Sequence, residues 1–190
     1  SKMAEKNVDY VIMEVSSHSL VLDRVTACTF DVGAFTNITQ DHLDFHKTME
    51  EYLKAKGILF QISKSGVINA DDPGAKLLLA MSKCEKMLTY GVEQKCAMRA
   101  SQVELKENGV FFTLHFEGAE YHVELGIPGK FSVYNAMTAL ACLAAAGIPM
   151  DQAVRCLKKA RGVKGRVEVV PTPGRDYTVL IDYSHTPDSL

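Results

Sequence analysis

Apolar residues fall in runs whose period changes along the chain, and the changes of period mark out the elements. Residues 9–15 (D-Y-V-I-M-E-V) and 30–36 are short, nearly continuous apolar stretches, the second closed by Asn37. Such runs predict strands buried on both faces, as in a parallel sheet. Thr48 precedes Glu51 by three positions, a capping box that predicts a helix start. Met49, Tyr52, Leu53, Lys56, Leu59 and Phe60 then recur at helical spacing on one face. Residues 66–70 predict a third strand, 75–81 a second helix and 87–90 a short fourth strand. This alternation predicts an α/β layered domain.

Beyond residue 99 the period becomes that of antiparallel strands. Residues 103–105, 110–116 around Asn108-Gly109, and 121–125 read as a meander. An Ala-rich helix over 131–146 follows, stopped by Gly147-Ile148-Pro149, and another helix covers 151–160. Gly162-Val163-Lys164-Gly165 has the composition of a linker, and a hairpin then runs through 166–170 and 177–182 about Pro173-Gly174. The expected fold class is α/β: a central, mostly parallel sheet flanked by helices, with a small antiparallel meander. A domain boundary is expected near Lys164, dividing residues 1–163 from 164–190.

Composition narrows the class of function. The 190 residues have room for one domain with a full core and part of a second. Net charge is −2, so no basic excess points to nucleic acid or an anionic membrane, and an anionic substrate needs a local basic site. Five cysteines (Cys28, Cys84, Cys96, Cys142, Cys156) with no C-x-x-C spacing predict a reduced, cytoplasmic protein. The most apolar run, 136–148, is interrupted by Thr138 and Gly147 and is too short to span a bilayer.

Candidate chemistry gathers where strands are expected to end, the place where open α/β sheets collect ligands. Glu14 closes the first run and is followed by Ser16-Ser17-His18; a strand-end acid in a turn is the plainer reading. Asp41-His42-Leu43-Asp44-Phe45-His46 places two acids and two histidines within six residues, which fits a metal or phosphate site or equally a polar, capped loop. Lys56 lies inside an apolar stripe. Lysine is almost never fully buried unless paired, so it either snorkels or sits where its amine can be deprotonated and modified. Asn69-Ala70-Asp71-Asp72 contacts a nucleotide or forms a turn and helix cap. Gly129-Lys130-Phe131-Ser132 looks like the tail of a Walker motif, but Phe131 stands where Ser or Thr is required and no glycine lies four residues before Gly129.

Taken together, these stretches resemble the Mur ligases. The matching segments are E-V-S-S-H-S-L (14–20) with Arg24, F-T-N-I-T-Q-D-H-L-D-F-H (35–46), Y-L-K-A-K-G-I-L-F (52–60), N-A-D-D (69–72), G-K-F-S-V-Y-N-A (129–136), G-R-V-E (165–168) and D-Y-S-H-T-P-D-S-L (182–190). They stand in family order and cover nearly the whole chain, and S-S-H with D-Y-x-H-T-P-D points to the branch that adds the third residue of the peptidoglycan stem peptide. The resemblance implies a central ATP-binding domain and the start of a C-terminal domain. It also implies that the phosphate-binding loop lies N-terminal to these residues, so that this chain alone is inactive.

Carried over by position, the resemblance makes Glu14 and His42 ligands of Mg²⁺, with Lys56 carbamylated beside them. Ser16 and Arg24 match residues that hold the UDP-N-acetylmuramoyl dipeptide. Asn135 matches the adenine contact, Arg166 and Asp182 further ATP contacts, and His185 a residue near the phosphates. Ser132 departs from the family pattern, which usually has Asn there. The implied partners are ATP, the nucleotide-sugar dipeptide and a diamino acid (meso-diaminopimelate or L-lysine), acting on a monomer, with no nucleic acid or membrane. Two other readings remain open: a non-catalytic α/β ligand-binding module, and a metallohydrolase built on His42 and His46 with Asp41 and Asp44.

Overall fold

The computed structural model describes residues 2–39 and 46–184; of Lys2 and Ala4 only the backbone is described. One sheet dominates, in the order β1 (Phe30–Phe35), β2 (Ser63–Asn69), β3 (Lys86–Gly91), β4 (Met98–Lys106), β5 (Gly109–Phe116), β6 (Ala119–Leu125). The first four run parallel and the last three antiparallel. The predicted meander is therefore not a separate unit. It continues the parallel sheet, because β4 pairs with β3 at Tyr90↔Met98 and Gly91↔Arg99.

Helices α1 (Lys2–Glu5), α2 (Ser17–Val21), α3 (Met49–Gly57), α4 (Ala75–Met81), α5 (Lys130–Ala145) and α6 (Met150–Leu157) complete the main body. Alternation along β2 explains the layering. Val67 faces a core with Tyr90, Met98, Leu114 and the buried residues of α5, whereas its neighbour Ile68 faces the opposite core with Phe35, Phe60 and Leu78. Successive strand residues point to opposite faces, so continuous apolar runs require helices on both sides.

The predicted start of α3 is present: Thr48 Oγ1 accepts from the Glu51 N–H at 3.2 Å. The end of α5 is set by Gly147, whose φ of 80° suits a residue without Cβ. The β5–β6 turn carries positive φ at both Glu117 and Gly118, the geometry whose twist matches paired strands.

The predicted first strand is absent. Residues 10–16 form no regular element, and Tyr10, Val11, Ile12 and Met13 are exposed, Ile12 completely. An apolar run signals a preference for burial but does not supply a pairing partner, and in the described sheet β1 is the edge on which such a strand would have to pair. After residue 165, β7 (Glu168–Val170) and β8 (Val179–Ile181) form a separate two-stranded antiparallel sheet. Among the described residues no helix is long and apolar enough to cross a membrane.

Candidate functional site

The carboxyl ends of β1 and β2 are bolted together by the side chains of the N-A-D-D run. Asn69 Nδ2 donates to the Thr36 carbonyl at 2.9 Å. Asp72 accepts from the Ile38 N–H at 2.9 Å and from the Gly74 N–H at 2.8 Å. Asp71 binds the next strand end. Its carboxylate accepts from the N–H groups of Val92, Glu93 and Gln94 and from the Tyr134 hydroxyl of α5. Burial raises the Asp71 pKa, but these four donors outweigh it and the net shift is downward. Gly91 leaves room for this carboxylate: a Cβ there would meet Asp71 Oδ1 at 2.7 Å. The hydrogen bonds of this run describe a turn that also locks the neighbouring loops; the expected helix cap is not formed, since the helix at Ala75–Met81 starts after Gly74 with no side-chain cap.

Lys56 lies one turn beyond Tyr52 on α3, half-buried, with Nζ 5.1 Å from the centre of the Tyr52 ring. Burial pushes its amine below the ordinary lysine value, and the charges of Asp72 and Glu14 act the other way. The fold thus brings Glu14, Asp72 and Lys56 into one electrostatic neighbourhood, although Glu14 itself is exposed. The sequence marked Asp72 only as part of the N-A-D-D run and did not relate it to Lys56, because nothing in the chain's periodicity relates β2 to α3.

The serines and His46 pack beside this group. Ser16 caps α2, accepting from the Ser19 N–H at 3.2 Å. Ser17 is buried and its Oγ lies 2.8 Å from His46 Nε2. The buried His46 ring stacks on Tyr52, centroids 4.9 Å apart and planes 12° apart. His46 Nε2 is therefore committed to Ser17. Among the described residues no three His, Cys, Asp or Glu side chains are grouped to hold a metal ion. His42, Asp41 and Asp44 lie outside the described residues, as does His185.

The remaining expected residues fall in separate places. Arg24 is exposed just after α2, with its backbone N–H bonded to the Ser19 carbonyl. Asn135 is exposed on α5, next in sequence to the Tyr134 that Asp71 holds. Arg166 and Asp182 come together across the β7–β8 hairpin. Asp182 accepts from the Ser184 hydroxyl, from the Val167 N–H at 2.6 Å and from the Ser184 N–H, which with Arg166 lower its pKa. The Arg166 guanidinium lies over the Tyr183 ring at 5.1 Å. The rejected Walker-like segment is a helix start: Ser132 Oγ donates to the Pro128 carbonyl at 2.7 Å, and Lys130 pairs with Glu93.

A doubly covered sheet whose strand ends converge on a partly buried lysine is the framework of a ligand-handling α/β domain, and similarity to known proteins makes the class specific. A sequence profile of the Mur ligase middle domain matches residues 1–143. The chain is 44% identical over 191 aligned residues to UDP-N-acetylmuramoyl-L-alanyl-D-glutamate–2,6-diaminopimelate ligase 1 of Clostridium acetobutylicum, covering 100% of this chain and 39% of that protein. It is 46% identical to the corresponding ligase of Caldanaerobacter subterraneus subsp. tengcongensis, with the same coverage. A solved structure of a ligase of that name superposes with a TM-score of 0.87 at 31% identity, over 99% of this chain and 39% of the other. The chain belongs to the Mur ligase family. It spans about 39% of the length of these relatives.

Proposed function

We propose that this chain is the central domain, residues 1–163, and the beginning of the next domain, residues 164–190, of an ATP-dependent amide ligase of peptidoglycan precursor synthesis. In this reading the whole enzyme is a UDP-N-acetylmuramoyl-tripeptide synthetase. It joins a diamino acid to UDP-N-acetylmuramoyl-L-alanyl-D-glutamate in the cytoplasm. The observation that carries the reading is the 44–46% identity, along the entire chain, to relatives named for that reaction; their names favour 2,6-diaminopimelate over L-lysine as the added residue.

The reaction has two steps. A peptide carboxylate attacks the γ-phosphorus of ATP, giving an acyl phosphate and ADP; the incoming amine then displaces phosphate and loses a proton. Two anions meet in the first step, so the site must offset their repulsion. Mg²⁺, a hard cation that prefers oxygen ligands, would supply that charge stabilisation. Glu14 and His42 would hold it, with Lys56 as a carbamate.

The residues present fit this role. A partly buried amine with a lowered pKa gives up its proton more readily than an ordinary lysine, and only the neutral amine adds CO₂. The product is an anion with two oxygen acceptors, next to Glu14. Ser16 and Arg24 would hold the nucleotide-sugar peptide, the guanidinium gripping a carboxylate in bidentate fashion. Asn135 would contact adenine, and Arg166, Asp182 and His185 the rest of the nucleotide.

The test is chemical rescue in the full ligase. Lys56→Ala abolishes ligation while leaving the fold intact, and short carboxylic acids restore part of the activity by supplying the missing carboxylate. Lys56→Arg fails too, because it keeps its charge and cannot be carbamylated. Wild-type turnover by Lys56→Ala overturns the assignment.

A further inference from the structure

A lysine side chain has four rotatable bonds, so a carbamate at its end is useful only if something holds the stem. The amine at its tip lies over Tyr52, four residues earlier and one helical turn away, with Nζ 5.1 Å from the ring centre. Tyr52 is 6% exposed, and its ring lies nearly parallel to that of His46. His46 is in turn pinned at Nε2 by Ser17 Oγ, and the two are 5% and 1% exposed. The His46 carbonyl also accepts from the N–H of Thr48, the cap of α3 itself. A line of contacts therefore runs from the S-S-H turn through the last residue of the D-H-L-D-F-H run to the tip of Lys56.

We infer that His46 is a positioning residue: anchored by Ser17, its ring fixes the Tyr52 ring and so holds the Lys56 amine where it is carbamylated and used. The inference rests on the reading of Lys56 given under the proposed function.

The experiment compares variants of the full ligase for steady-state kinetics and for Lys56 carbamate, followed as the ¹³C resonance that grows on adding ¹³C-labelled bicarbonate. His46→Ala lowers kcat about 10-fold or more, since misplacement by about 1 Å can cost 10²-fold. It shifts the KM for ATP by less than about 2-fold, because the loss lies in the reacting geometry and not in uniform binding. Its carbamate signal falls at a given bicarbonate concentration. His46→Phe, which restores a flat ring against Tyr52, recovers most of both losses. Ser17→Ala, a change of one hydroxyl, gives a smaller loss of the same kind and carries the expectation should His46→Ala not fold.

A role confined to packing would lower the melting temperature but leave kcat per folded enzyme and the carbamate signal at wild-type levels, and that result overturns the inference. Lys56→Ala separates the two failures. If Lys56→Ala keeps full activity, the functional reading falls. If Lys56→Ala is dead while His46→Ala and Ser17→Ala are carbamylated and turn over normally, only the positioning role falls.

Discussion

Asp71 illustrates how much one side chain can organise. Three backbone N–H groups and the Tyr134 hydroxyl converge on its carboxylate, joining the loop after β3 to α5. Hydrogen bonds to a charged group are each stronger than neutral ones, and removing the acceptor leaves donors unsatisfied. Asp71→Ala should therefore destabilise the fold by about 2–3 kcal/mol, measured by denaturant titration at neutral pH. Because the folded pKa lies below the ordinary 3.8, the contribution is present above that value and disappears as pH falls through the folded pKa. The stabilities of wild type and Asp71→Ala should converge in acid, and a difference unchanged down to that range contradicts the cradle. The sequence read Asp71 as a nucleotide contact or part of a turn, but the loop it binds lies some twenty residues away. No local signal relates them.

Among the elements, α3 was the most legible in advance, because its cap and its stripe are both local. Thr48 caps it and Tyr52 of the predicted stripe is buried, as is Ala55 outside that stripe. The segment 9–15 was the least legible, since its strand-like composition says nothing about whether an edge is available. With Ile12 fully exposed, Ile12→Lys should change the stability of the 190-residue chain by less than about 0.5 kcal/mol, as for surface sites generally. A loss above 1 kcal/mol in a thermal or denaturant melt would mean that the segment packs against the body. The connection between β5 and β6 was legible from the predicted meander, but its conformation was not: Glu117-Gly118 is not the commonest turn pair, yet both residues take positive φ there.

The whole molecule joins a sheet with converging strand ends to a separate hairpin that carries Arg166 and Asp182. Its sequence contains no G-x-x-x-x-G-K-[ST] loop, whose backbone amides and lysine cradle the phosphates in P-loop proteins. Purified as 190 residues, the chain should bind ATP weakly and show no substrate-dependent turnover. Isothermal titration and phosphate release measure these, and ligation product from the chain alone contradicts the expectation.

By itself the sequence determined the family, the α/β alternation and the cap of α3, because these depend on residue type and on spacing within about one element. Only the tertiary structure decided that the meander extends the parallel sheet and that segment 9–15 pairs with nothing described. It also decided that Asp72 faces Lys56, and that Ser17, His46 and Tyr52 stand in line behind that lysine. Each of these is a contact between residues far apart in sequence. Such contacts are fixed by which surfaces are left to bury once the local elements have formed, and no period along the chain records that choice.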